Sequence, residues 1–337
     1  MVTPQAIQYL GAIVTAAALS YVITWAIRPV LQRYALARPN ARSSHRIPTP
    51  QGAGIAVIAA TIIVSAATCV WSQLADAATL AILFGATLFM AVVGLADDLR
   101  SLPVLPRLLL QALAAAAVVL TAPDSLRIVP NFPLWIERGL LLIVLIWFVN
   151  LVNFMDGLDL MTAAEVVPLT ATLVLLGGVG IVPLPVTIVA AALCGAMVGF
   201  APFNRPIAKV FLGDVGSLPI GLLVGWCLLQ LAYYQDVVAA LLLPLYYLAD
   251  ATITLMQRIV RQEAFWKAHR SHFYQRATEN GLTATKVVSQ VFMVNVGLAI
   301  LAAASTMSPV LSIKLLLLAA GCGAVAVLIY GFIRPRR

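Results

Sequence analysis

Charge is what this sequence has least of. Asp, Glu, Lys and Arg together make up 10% of its 337 residues, where a soluble domain carries about 25%. No long polar stretch is present from which a separate soluble domain could form, no internal repeat is evident, and no Walker-type phosphate loop occurs. The four cysteines, Cys69, Cys194, Cys227 and Cys322, lie inside apolar runs. Their spacing is neither metal-like nor redox-like, so they read as small buried hydrophobes. No His/Cys set has zinc-ligand spacing. The first apolar run lacks a basic residue ahead of it and has Arg28 behind it, which argues for a membrane helix rather than a signal peptide.

What is abundant is apolar sequence: 62% of the residues are hydrophobic and the mean hydropathy is +1.00. Crossing a hydrocarbon core of ~30 Å takes ~20 mostly apolar residues. Eleven runs qualify, at 5–27, 52–71, 78–96, 104–122, 138–155, 160–176, 185–203, 217–234, 237–257, 286–305 and 310–333. In lipid the backbone must satisfy its own polar groups, so these runs are expected as helices. Eleven spans place the termini on opposite sides. Counted over alternating loops, 18 of the 21 Lys and Arg fall on one side, and only Arg127, Arg138 and Lys314 on the other. The positive-inside rule then puts the C-terminus in the cytoplasm and the N-terminus in the periplasm. The net charge of +8 suits anionic inner-leaflet lipid or an anionic substrate. Nucleic acid is a poor partner, because the charges sit in short loops between spans.

Of the 13 acids, Asp76, Asp124, Glu137 and Asp236 fall on the outer side and read as solvated loop charges. The informative ones sit at cytoplasmic helix ends: Asp97, Asp98, Asp156, Asp159 and Asp214. Carboxylates crowded at a membrane edge need a cation to persist. Bases follow nearby in Arg205, Lys209, His269, Arg270 and His272. Acids that hold a divalent ion beside bases that hold phosphate are the parts of a phosphoryl-transfer site. Mg²⁺ suits hard oxygen ligands and keeps its waters, with Mn²⁺ as a substitute.

Five strings carry these residues. Gly94-Leu95-Ala96-Asp97-Asp98-Leu99-Arg100 closes the third run; its bland reading is a stop-transfer pair facing water. Asn150, Asn153 and Asp156 are spaced by three and would line one helix face, with Gly157 and Asp159 beyond; the bland reading is mutual hydrogen bonding at a helix end. Phe211-Leu212-Gly213-Asp214-Val215-Gly216-Ser217 opens the eighth run, where a helix N-terminus favours an anion. An N-cap would explain Asp214 or Ser217 but not the two glycines. His269-Arg270-Ser271-His272-Phe273-Tyr274-Gln275-Arg276 offers a guanidinium fork and titratable donors; Phe265 and Trp266 allow a surface amphipathic segment instead. Ser44-His45-Arg46 through Pro48, Pro50, Gly52 and Gly54 demands a fixed, non-helical path, or is an ordinary turn. Asp250 and Glu165, inside apolar runs, read equally as functional groups or as paired structural ones.

Together and in this order, the five strings resemble the polyprenyl-phosphate N-acetylhexosamine-1-phosphate transferases, over residues 44–276. The resemblance implies an all-α, single polytopic membrane domain over residues 1–337, with its active site on cytoplasmic loops at 28–51, 97–103, 153–159, 204–217 and 258–285 of a bacterial inner-membrane protein. It implies a magnesium-dependent transfer of sugar-1-phosphate from a uridine-diphosphate sugar to undecaprenyl phosphate, with loss of uridine monophosphate. By that pattern Asp214 and Asn153 match the metal site, and Asp97 and Asp98 match the acidic pair that handles the lipid phosphate. Asn153, Asp156 and Asp159 match the segment that holds metal and nucleotide. Phe211 matches the position that stacks on uracil, and His269, Arg270 and His272 match the loop that grips diphosphate and sugar. Asp156, His269 and Arg270 join the acidic pair as catalytic candidates, and Lys209 and His45 complete the substrate contacts. The run His-Arg-Ser-His departs from the triple histidine of the lipid I synthase branch. It resembles instead the branch that starts O-antigen and related glycans, using N-acetylfucosamine, N-acetylquinovosamine or N-acetylglucosamine donors. A homodimer is compatible with this pattern. The reading of a different class, a secondary transporter, calls for repeats and midplane sites; here the acids crowd one face.

Overall fold

The computed structural model describes residues 4–37, 48–74, 77–234, 236–263 and 269–335. Its helices are α1 (Pro4–Tyr34), α2 (Gly54–Trp71), α3 (Ala77–Leu99), α4 (Val104–Val119), α5 (Leu134–Met155), α6 (Met161–Gly178), α7 (Leu184–Phe200), α8 (Asp214–Tyr234), α9 (Val237–Leu242), α10 (Leu245–Val260), α11 (Phe273–Glu279), α12 (Ala284–Met307) and α13 (Leu311–Ile333). Nine of the described helices are long and apolar enough to cross a membrane: α1, α2, α3, α5, α6, α7 with the 3₁₀ turn that follows it, α8, α12 and α13. The protein is an all-α, multi-pass membrane protein.

Two of the eleven expected runs come out shorter. The run at 104–122 gives α4, which is 16 residues long and opens at Pro103. The run at 237–257 is interrupted at Pro244 and becomes α9 and α10. A proline lacks the N–H a helix interior needs and its ring crowds the preceding turn. Hydropathy averaged over that run registers apolar content and not the break.

Helices α7 and α8 form the centre, and α1 and α13 lie outside. Along its most apolar stretch α8 is 83% buried, while the same measure for α13 is 28%. An apolar helix buried all round belongs in the core of a bundle, and one with bare Leu and Val faces suits lipid. Several buried hydroxyls within the helices bond back to their own backbone, as Thr61, Thr87 and Thr170 do to the carbonyl four residues earlier.

The ends of α3, α5 and α10 and the beginnings of α8 and α11 meet at one end of the bundle. The strand-like segment at 49–54 stitches them together. Leu36 pairs with Pro50 and Ala37 with Thr49 in a two-stranded ladder. On the other side Phe211 donates its N–H to the Pro50 carbonyl at 2.7 Å, and the Ala53 and Gly54 amides donate to the Phe211 and Leu212 carbonyls. The fixed path expected from the prolines and glycines after residue 48 is therefore a backbone splint between α1 and α8.

The opposite end corrects one expectation. Glu137 and Asp236 are buried rather than solvated. Glu137 pairs with Arg127 and accepts the Ile128 amide. Asp236 caps α9 through the Val238 and Ala239 amides and pairs with Lys314 at 2.8 Å. Each acid has a cation and backbone donors at a turn where the chain re-enters the bundle, so burial costs it little. Asp124 is exposed, as expected, and Asp76 lies outside the described residues.

Candidate active site

Asp98 sits one residue short of the end of α3 and points at the start of α8. Its Oδ1 accepts the Asp214 amide at 2.9 Å and the Gln51 side-chain amide at 2.8 Å; its Oδ2 accepts the Val215 amide at 3.1 Å. A carboxylate on the first amides of a helix satisfies orphan donors and complements the helix dipole. The contact is close enough to dictate glycine. A Cβ on Gly94 would lie 2.2 Å from the Asp214 carbonyl, and one on Gly213, at φ +76, would lie 2.5 Å from Asp98 Oδ2. The glycines in the first and third strings thus let α3 and the 211–217 turn touch.

Asp97 is held at the same helix end. It accepts the Leu102 amide at 2.7 Å and pairs with Arg107 at 2.7 Å. The Asp214 carboxyl lies within hydrogen-bonding reach of the Asp97 carboxyl. Asn153, from the last turn of α5, donates its side-chain amide to Asp214 Oδ1 and to Ser217 Oγ, both at 2.8 Å. Asp97, Asp98, Asn153 and Asp214 therefore form one cluster built from α3, α5 and α8.

Asp156 follows at the C-cap of α5 and accepts the Thr162 hydroxyl. Burial pushes its carboxyl up to about 7, and the charges of Asp98 and Asp159 add to the rise against the Thr162 hydrogen bond. Asp159 accepts the Ala208 amide at 3.0 Å, while Asn204 takes the Leu160 amide and gives to the Val210 carbonyl. These bonds hold the 204–210 loop against the end of α5. Phe211 is half-buried beside Gln51 in a parallel bridge, and Lys209 is exposed on that loop.

The histidine loop closes the same end. The Tyr274 hydroxyl donates to the Phe154 carbonyl at 3.0 Å. The His272 ring stacks on Tyr274 at 5.8 Å and packs near His269 at 4.9 Å and Phe154 at 6.3 Å. His269 is half-buried, with Nδ1 2.8 Å from Ser271 Oγ. Burial, with His272 and Arg258 nearby, pushes it down to about 4, so its ring is neutral at pH 7. Arg270 lies 3.8 Å from Glu279. His45 is outside the described residues. The remaining expected residues gather at one end, and Asp156 is the link, because it feels Asp98 on one side and lies near Tyr274 on the other.

Among the described residues, Asp98, Asp156 and Asp214 meet amides and hydroxyls but no Lys, Arg or His at ion-pair distance. No three His, Cys, Asp or Glu side chains converge as a ready metal shell among them. The donor set nevertheless fits Mg²⁺, which asks for one or two carboxylates and completes its octahedron with water and substrate phosphate. Asp97 and Asp214 lie within hydrogen-bonding reach of each other, and among the described residues only Asp97 of the two has an arginine, Arg107.

A model of the family described as glycosyl transferase family 4 matches residues 80–232, which span Asp97 through Asp214. Over these residues the chain is similar to glycosyl transferase family 4. It is 27% identical to the decaprenyl-phosphate N-acetylglucosaminephosphotransferase of Mycobacterium leprae, over 87% of this chain and 82% of the relative. It is 26% identical to the probable undecaprenyl-phosphate N-acetylglucosaminyl 1-phosphate transferase of Bacillus subtilis, over 84% of this chain and 82% of the relative. It is 32% identical to a phospho-N-acetylmuramoyl-pentapeptide-transferase of Wolbachia pipientis, over 46% of this chain and 52% of the relative.

Several residues of this site went unassigned in the sequence. Gln51 lies in the fifth string without a role until its amide meets Asp98. Arg107 counted only toward the basic side, although an Arg ten residues after an acidic pair could have been tried as its partner. Thr162 carries no signal at all. Of the two intramembrane acids, Glu165 accepts the Asn295 side-chain amide at 2.7 Å and joins α6 to α12, while Asp250 lies beneath the histidine loop.

Proposed function

We propose that this chain transfers an N-acetylhexosamine-1-phosphate from a uridine-diphosphate sugar to undecaprenyl phosphate, releasing uridine monophosphate and starting an O-antigen or related surface glycan. The observation that carries the reading is the cluster in which Asp214 touches both the Asp97 carboxyl and the Asn153 amide, at the same end as a loop rich in His and Arg. The names of the relatives, which are prenyl-phosphate phosphotransferases, support the reaction class. The loop His269-Arg270-Ser271-His272 lacks a triple histidine and favours the glycan-initiating branch over a muramyl-pentapeptide donor. The charge bias of the loops favours a site facing the cytoplasm in a bacterial inner membrane.

In this reading an oxygen of the lipid phosphate bonds to the β-phosphorus of the donor. The bond from that phosphorus to the oxygen bridging toward the α-phosphorus breaks, and its electron pair leaves with uridine monophosphate. The sugar–oxygen bond stays intact, so the anomeric configuration is retained. A phosphate monoester has its second pKa near 6, so Asp97 need only orient the lipid phosphate or take its last proton. Asp98, with both oxygens engaged, holds α8 in place. Asp214 and Asn153 are the residues that would hold Mg²⁺, or Mn²⁺ in its place. Once bound, the ion neutralises charge on the diphosphate and on the leaving group. Arg270 holds the transferred phosphate, Phe211 stacks on uracil, and Lys209, Asp159 and His272 line the donor.

The test is to incubate purified protein with undecaprenyl phosphate, Mg²⁺ and each of several uridine-diphosphate N-acetylhexosamines, then weigh the lipid product by mass spectrometry and measure uridine monophosphate. The expected result is a lipid diphosphate sugar formed one-for-one with uridine monophosphate. Full activity in Asp214→Ala would overturn the metal assignment, and absence of product with every donor would overturn the reaction.

A further inference from the structure

Asp250 belongs to none of the five strings and is fully buried in α10. It nevertheless accepts hydrogen bonds from five groups. The His272 Nδ1 lies 3.2 Å from Oδ1, and the Phe273 amide 3.0 Å from the same oxygen. Oδ2 takes the Tyr274 amide at 3.1 Å and the Tyr246 hydroxyl at 3.0 Å. Thr254 approaches Oδ1 at 3.4 Å. One carboxylate on α10 thus ties down the first amides of α11 together with the imidazole at its N-cap. A carboxylate oxygen that already takes a backbone N–H is met best by an imidazole whose proton is on Nδ1.

We infer that Asp250 is a positioning residue for His272: it holds the imidazole with Nδ1–H turned into the core and leaves Nε2 as the nitrogen that meets the diphosphate-sugar of the donor. This rests on the substrate-binding role proposed above for His272. A bond from carboxylate to imidazole fixes tautomer and ring orientation, as it does for histidines that bind metals. The ring's packing against Tyr274, His269 and Phe154 keeps it from swinging out of this pose. Asparagine cannot replace Asp250, because either orientation of its amide sets an NH₂ against a backbone N–H.

The chain has three histidines, so ¹⁵N-histidine labelling of the full-length protein in detergent yields three imidazole signals, and His272→Gln identifies the one from His272. The expected wild-type result is a protonated Nδ1, lost or altered in Asp250→Asn. A bare Nδ1 with the proton on Nε2 in wild type would overturn the inference, and this measurement stands even if Asp250→Asn does not fold. In the transfer assay Asp250→Asn and His272→Gln are each expected to lower kcat/KM tenfold to a hundredfold. The double variant should stay within about twofold of His272→Gln alone, because coupled residues are not additive; penalties that multiply would refute the link. A chain without transferase activity would fail the functional reading while the imidazole proton still decides the Asp250–His272 bond.

Discussion

At one end of the bundle each buried acid has its own cation. Glu137 has Arg127 and Asp236 has Lys314, and the buried Arg138 is taken up by the Ala122 and Pro123 carbonyls and the Tyr233 hydroxyl. At the other end, among the described residues of the acidic cluster, Asp97 is paired with an arginine, while Asp98, Asp156 and Asp214 are met by amides and hydroxyls. The first arrangement is complete: removing any member leaves a buried charge, and adding anything gains nothing. The second is short of positive charge and sits beside a loop of His and Arg. Burial alone does not mark a functional acid. What sets this end apart is several buried acids clustered together with too few cations, because that deficit is what a metal and a phosphate-bearing substrate would fill.

Substitutions at the two ends should therefore fail in different ways. The largest effect is expected from Asp214→Ala, which removes the acid on which the cluster converges. Turnover should fall by at least about a thousandfold, the order for losing several kcal/mol of charge stabilisation in phosphoryl transfer, with a cooperative melt in metal-free detergent showing that the variant still folds. Chelation of divalent ions should bring wild type to the same floor and leave Asp214→Ala where it is. Next in size is Lys314→Met at the opposite end. Asp236 keeps Ser305 and two amides but loses its ion pair. Stability should drop by about 2–3 kcal/mol, read as a lower thermal midpoint, with kcat per folded molecule unchanged. A loss of turnover in Lys314→Met without a loss of stability would dissolve the distinction between the ends.

Much of this was legible because lipid imposes strict rules. A run of about 20 apolar residues has to be a helix, and all eleven runs are helical among the described residues, nine of the helices being long and apolar enough to cross a membrane. Charged residues at helix ends stand out against so apolar a background, which is why Asp97, Asn153, Asp156 and Asp214 could be grouped before any geometry was known. What stayed hidden was pairing across long separations. Nothing local tells Asp236 that Lys314 lies 2.8 Å away, so a buried ion pair read as two loop charges. Nothing local tells Asp250 that the start of α11 folds back onto it. The break at Pro244 was visible as a residue, but its effect was masked because leucines flank it on both sides.

The smallest effect concerns pH and sharpens the comparison most. Asp236 keeps its carboxyl below the usual range: burial pushes it up, but Lys314, Ser305 and the Ala239 amide outweigh burial. A depressed acid contributes stability that is fully present above its unfolded value, near 3.9, and is lost only as pH falls through the lower folded value. Across pH 5 to 8 the Asp236 end should be flat. Asp156 is the reverse. Its carboxyl is raised to about 7, so the folded protein holds a proton that the unfolded chain has already released. Stability from this group is present below about pH 4 and declines as pH climbs to about 7. The ceiling is about 1.4 kcal/mol per pH unit, and because Asp156 is half-buried the observed slope should be well below it. In divalent-free detergent, wild type should melt lower at pH 8 than at pH 5, and Asp156→Asn should reduce that difference while Asp236→Asn does not. An equal slope in wild type and Asp156→Asn would show that the carboxylate is ionised at pH 5 despite its burial, and that the acid-rich end carries a compensating charge of its own.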